Sequence, residues 1–236
     1  MHKSNALCAF LLTCVSVAAL AQNQGLTSPL SGVPVGKVTV VTLDGLDAAT
    51  RSIADRDLNL QKRFATSGEV ETVPDDAAYI KTHYASRARY EAESKIQARL
   101  KAGWTDISRS ELRGYKYQAF VPEGPTKAGP WSSYTRVFTR PDGALLMLHE
   151  WDYALDGGGV VIIKELMNER VHQSLARLVT RKTNSGQYFS ELTWATDKKY
   201  YTLTVWDRLD QSGERKYDKS WLVGIAEQLT GDTPDH

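Results

Sequence analysis

Between Gly114 and Trp206 the chain alternates apolar and polar residues with a period of two, interrupted by short clusters of turn residues. No other feature constrains the fold as much. Successive side chains of a strand point to opposite faces, so such a stretch must lie in a sheet with a buried side. The predicted strands are Tyr115–Val121, Tyr134–Arg140, Ala144–Tyr153, Val160–Leu166, Leu175–Lys182, Gln187–Trp194 and Lys199–Trp206. Arg140-Pro141-Asp142-Gly143 is a strong hairpin signal. Gly157–Gly159 reads as a flexible turn, and Asn184-Ser185-Gly186 and Thr196-Asp197-Lys198 mark the later ones. Connections this short imply a mostly antiparallel β-meander in the C-terminal two-thirds.

Helical periodicity flanks the sheet region. Lys37–Leu43 is a β-branched strand, after which Asp44 reads as a helix N-cap with Asp47 in the first turn. Leu46, Ala49, Ile53, Leu60 and Phe64 give that helix an apolar stripe, incomplete near Arg56 and Asp57. Pro74-Asp75-Asp76 opens a second helical stretch towards Gly103, with Ala88, Ala92, Ile96 and Leu100 as its narrow packing edge. A last helix is capped by Asp218, buries Leu222, Ile225, Ala226 and Leu229, and stops at Gly231. The fold class expected is α+β, with the N-terminal helices and the C-terminal helix against one face of the sheet. One domain over 37–236 is preferred; the alternative is a helical lobe, 37–105, beside a sheet lobe, 106–236.

The N-terminus predicts export. His2 and Lys3 precede an uncharged run from Ala6 to Leu20, and Ala19-Leu20-Ala21 fits a small-x-small cleavage site. Residues 1–21 therefore read as a signal peptide and 22–36 as a Gly- and Pro-containing linker. Both cysteines, Cys8 and Cys14, fall in the signal. A mature chain would hold no thiol for a disulfide, a nucleophile or a metal. Cleavage removes one lysine and leaves 28 basic against 28 acidic residues. Such balance gives no reason to expect a nucleic acid as partner, despite the basic group Arg177, Arg181 and Lys182. No later apolar run reaches spanning length, so no stable membrane insertion of the mature chain is expected. The compartment expected is periplasmic or secreted.

Residues 133–153 align without gaps on 188–208. Asp142 falls on Asp197, Leu148 on Leu203, and Trp151-Asp152 on Trp206-Asp207. Both copies read as strand, turn and strand ending in Trp-Asp, a likeness that two unrelated hairpins can also share. In the last strand Tyr201, Leu203 and Val205 share a core-like face, and Tyr200, Thr202, Thr204 and Trp206 share the other. Trp151, Tyr153, Trp194, Tyr200 and Trp206 are therefore the candidate ligand-binding residues, with Tyr188 as a possible neighbour. Exposed, they would offer stacking area and a hydrogen-bonding tip to a glycan, a peptide or an acyl chain. Covered by the N-terminal helices, they are core.

No familiar catalytic motif is present. There is no H-E-x-x-H, no G-x-S-x-G and no Walker loop, and Gly157-Gly158-Gly159 precedes a strand instead of opening a helix. His149 and Glu150 are adjacent on a strand and so face opposite ways, which is wrong for a shared metal. No catalytic residue, metal ligand or cofactor is assigned. The sequence favours a non-catalytic exported protein binding a ligand or an envelope partner. One alternative is a hydrolase of an envelope polymer, with Asp152 and Asp207 as the carboxylates to inspect first. The other is an envelope structural or assembly factor.

Overall fold

The computed structural model describes residues 33–74, 93–101, 103–123, 129–207 and 217–230. The expected leader and most of the expected second helical stretch, including Ala88 and Ala92, lie outside these residues, as does Gly231. The fold is α+β, built on a large mixed sheet of eight strands. In chain order the strands are β1 (Val38–Val41), β2 (Glu71–Val73), β3 (Lys116–Glu123), β4 (Ser133–Thr139), β5 (Leu145–Trp151), β6 (Val160–Ile163), β7 (Glu169–Val171), β8 (Ser174–Thr183), β9 (Tyr188–Ala195) and β10 (Tyr200–Asp207). The helices are α1 (Ala48–Ser67), α2 (Glu93–Gln97) and α3 (Lys219–Leu229).

Two three-stranded meanders, β3-β4-β5 and β8-β9-β10, meet edge to edge through an antiparallel β5–β10 ladder. On the outer edge of β8, β7 pairs with its first half and β2 with its last residues, the latter in parallel. The β5–β10 register sets Leu148 directly opposite Leu203, the two residues equated by the 55-residue offset. The halves are thus related by an approximate two-fold through that pair. The internal hairpins differ by one step: Ser133 pairs with Trp151, whereas Tyr188 pairs with Asp207, the residue after Trp206.

The main core lies between the sheet and α3. Leu146, Leu148, Leu192, Leu203 and Val205 meet Leu222, Ile225, Ala226 and Leu229, all buried as the periodicity predicts. Asp218 caps α3 by accepting from the Trp221 N–H at 2.9 Å.

At α1 the structure corrects three expectations. The N-cap is Asp47, whose carboxylate accepts from the Ala49 and Thr50 N–H groups at 3.0 Å, while Asp44 sits in a 3₁₀ turn over Leu43–Gly45. The buried side carries Ala54 and Asp57, while Ile53 and Phe64 are 38% and 40% exposed. The helix also docks on the small β1–β6 ribbon through Leu46, Leu58, Ile163 and Leu166, and Asp57 pairs at 2.8 Å with Arg177. Arg177 points away from the α3 face, so α1 and α3 serve opposite sides of the sheet and not one face.

Candidate functional site

The five expected aromatics do not form one surface. Trp194 lies on the α3 face, because its partner across β9–β10 is Tyr201; the rings stack 4.9 Å apart and Trp194 is 2% exposed. Tyr188, opposite Asp207, shares that face. Trp206 does lie on the other face with Tyr200, Thr202 and Thr204, yet it is buried and stacked on Phe189 at 4.6 Å. Neither Trp194 nor Trp206 offers a stacking plane to a ligand. Alternation read along one strand fixes a side chain's face; it does not say what lies above it.

Trp151, Tyr153 and Tyr200 do come together. Trp151 is paired with Tyr200 across the β5–β10 ladder and meets Tyr153 edge to face at 6.1 Å. Trp151 and Tyr200 are half-buried and Tyr153 is fully buried. The Trp151 indole N–H donates to Asp156 at 2.7 Å, and the Tyr153 hydroxyl donates to the Thr196 carbonyl at 2.6 Å, which fixes both rings. They form one apolar cluster with Val38, Val160, Ile162, Leu175 and Ala195. Tyr153 is therefore inside this cluster, and Trp151 and Tyr200 pack against it partly exposed.

Beside that cluster is an open cleft of about 480 Å³. Its floor is Val38 and Val40 of β1, Ile162 of β6, and Leu175 and Ala195 at the ends of β8 and β9. Lys37, Ser174, Thr196 and Asp197 stand at its rim. The volume falls within the range of small-molecule sites, roughly 300–1,000 Å³, and an apolar floor with few polar rim groups is the usual composition. Lys37 and Asp197 are exposed, and Val40 is 49% exposed. The sequence signals the strand Lys37–Leu43 and the turn Thr196-Asp197-Lys198 separately. Their proximity depends on the parallel pairing of β1 with β6, Val38 opposite Val160, across some 120 residues. No local pattern carries that pairing.

Asp152 and Asp207 are not a carboxylate pair. They follow opposite ends of the β5–β10 ladder, about 26 Å apart at roughly 3.3 Å per residue. Glycosidic cleavage needs carboxylates about 5–9.5 Å apart. Asp152 accepts the Leu155 N–H in a turn, and buried Asp207 accepts the Tyr217 N–H.

Two polar centres lie elsewhere in the sheet. His149 and Glu150 face opposite ways, as strand alternation requires. On the α3 face Glu150 is fully buried. It bonds Arg136 at 2.7 Å, Lys199 at 3.0 Å, and the Thr105 hydroxyl and N–H at 2.7 and 2.9 Å. Burial pushes its carboxyl up, but the two cations and these hydrogen bonds outweigh burial and hold it below the usual value. On the other face His149 Nδ1 is 3.2 Å from Glu123 and 3.3 Å from Thr135, whose hydroxyl donates to Glu123 at 2.6 Å. Burial disfavours the imidazolium, yet the Glu123 charge and hydrogen bond more than offset it and raise the pKa above the usual value. The Thr135 hydroxyl donates to the carboxylate, and the imidazole lies beside both groups.

With that geometry in place, the chain can be set beside known proteins. No family model, no curated protein and no solved structure matches it. The cleft offers one ammonium, one carboxylate, two hydroxyls and an apolar floor.

Proposed function

We propose that this chain is an exported, non-catalytic binding protein of the periplasm or extracellular space, and that its ligand or envelope partner occupies the cleft over β1 and β6. The observation carrying this reading is the cleft itself: about 480 Å³, floored by Val38, Val40, Ile162, Leu175 and Ala195 and bounded by Lys37 and Asp197. Export rests on the leader pattern in residues 1–21. Burying an apolar group against such a floor yields roughly 25 cal/mol per Å². The rim then selects among ligands by their polar ends.

Native mass spectrometry of protein taken from its own envelope fraction tests both halves. A denatured mass corresponding to residues 22–236 is expected, with extra native mass from a bound group. Val40→Asp, at an exposed position, should fold normally and lose that extra mass. A full-length denatured mass would overturn export. A bound group retained undiminished by Val40→Asp would remove the cleft as its site.

A further inference from the structure

We propose that the cleft takes an extended peptide which adds to β1 as a third strand of the β1–β6 ribbon, with alternate apolar side chains entering the cleft. This rests on the binding reading above and deepens it by naming the ligand class.

The backbone of β1 carries the inference. Among the described residues β1 has β6 on one side and no strand on the other. The Val160 N–H donates to the Lys37 carbonyl at 2.9 Å. Backbone groups of a strand in a parallel ladder turn alternately to either side. Lys37, Thr39 and Val41 therefore turn theirs to β6, and Val38 and Val40 turn theirs outward. The residues with outward backbone groups are the same two whose side chains floor the cleft.

Sheet edges are ordinarily protected by charge, proline, a bulge or a cover. β1 reads Val-Thr-Val-Val, uncharged, without proline and β-branched throughout, and Val40 is half-exposed on it. An edge of this kind is a template for strand addition, in which main-chain bonds supply affinity and alternate side-chain pockets supply selectivity. An acyl chain could fill the floor, but it has no donors or acceptors for the outward groups of Val38 and Val40. The rim settles the peptide's character further. Lys37 and Asp197 are exposed and form no ion pair among the described residues, so the rim presents charges of both signs. A peptide with a basic residue set against Asp197 and valine-sized residues at alternate positions fits this site.

The test uses the whole protein and the blocked peptide acetyl-Lys-Val-Thr-Val-Thr-amide, its counterpart N-methylated at alternate amides, and dodecanoate. Amide hydrogen exchange is read at Val38 and Val40. The unmodified peptide should slow exchange at both by at least about tenfold, and the N-methylated peptide should not. Val40→Pro removes one outward donor at an edge position where proline is tolerated, so the fold should persist while peptide protection is lost. Equal effects of the two peptides, or no protection by either, overturn strand addition. Dodecanoate binding that Val40→Asp abolishes would then leave the cleft reading standing without it. Protection in the peptide-free protein that disappears on dilution would mean a second copy pairs at β1, which also overturns the peptide assignment.

Discussion

Glu150 shows how one residue can govern both the stability of the molecule and its response to acid. Its carboxylate is fully buried between Arg136 and Lys199, and it also holds the Thr105 segment to the sheet. The Arg136 guanidinium donates onward to the Thr105 carbonyl at 2.8 Å and lies 4.9 Å over the Trp104 ring. Removing one member of a buried pair leaves the others desolvated and unmatched, typically at about 3–5 kcal/mol. Glu150→Gln should therefore cost about that much at pH 7, measured by denaturant unfolding. The carboxyl's folded-state pKa lies below its ordinary value, so its stabilisation is present above that value and is lost as the pH falls through the folded-state pKa. The gap between parent and Glu150→Gln should narrow from pH 7 to pH 3. A gap of equal size at both values would show that the charge is not what stabilises the fold.

At the scale of elements, α1 shows why period alone misplaces a helix. Its apolar residues spell a stripe through Ile53 and Phe64, but the buried side is the one carrying Ala54 and Asp57. The docking surface includes a cation, Arg177, so the residue that seats the helix is the aspartate that breaks the stripe. Asp57→Ala should cost about 3–5 kcal/mol, whereas Ile53→Ser and Phe64→Ser should each fall within about 1 kcal/mol of the parent. The reverse order in thermal or denaturant unfolding would restore the apolar stripe as the seat of the helix. The same physics separates what was legible from what was not. The long strands and α3 follow from residues that read the same way locally and globally, as Leu222, Ile225, Ala226 and Leu229 do. β7 was missed because its hairpin to β8 turns at His172, with φ of 49°, a conformation usually signalled by Gly or Asn. The His172 ring meets the Glu227 carbonyl of α3 at 3.0 Å, a tertiary contact with no local signature. β2 is three residues long and exists only as a partner of β8. The cleft was half legible: Trp151, Tyr153 and Tyr200 mark the apolar cluster beside it, while Val40 and Asp197 meet only through long-range pairing.

For the molecule as a whole, the question is whether the N-terminal part and the large sheet fold as one unit. Several ties cross the boundary between 37–105 and 106–236, the Thr105–Glu150 bonds among them. β1 pairs with β6 from Val38–Val160 to Val41–Ile163, β2 pairs with β8, and Asp57 pairs with Arg177. Each leaves an unsatisfied surface if broken: the apolar faces of Val160 and Ile163, an open edge of β8, or a buried guanidinium. Losses of this kind are shared, because opening either part exposes groups on both. The chain supplies its own reporters for a test. Five of the six tryptophans, Trp131, Trp151, Trp194, Trp206 and Trp221, lie on the sheet side of the boundary; Trp104 falls just short of it, packed under Arg136 of β4, and the only cysteines are Cys8 and Cys14, inside the expected leader. A single cysteine placed at Thr50 of α1 and labelled with a fluorophore would therefore report on the helix alone in the cleaved chain. Tryptophan emission and the α1 label should lose their native signals at the same denaturant concentration and with the same steepness. An earlier, shallower transition at the label would mean that α1 and the ribbon detach as a separate unit. The cleft would then open whenever they do, since β1 and β6 supply part of its lining and β8 and β9 another part. Coincident transitions would instead mean that the cleft persists for as long as the sheet does, and that a ligand held there stabilises the whole molecule and not the ribbon alone.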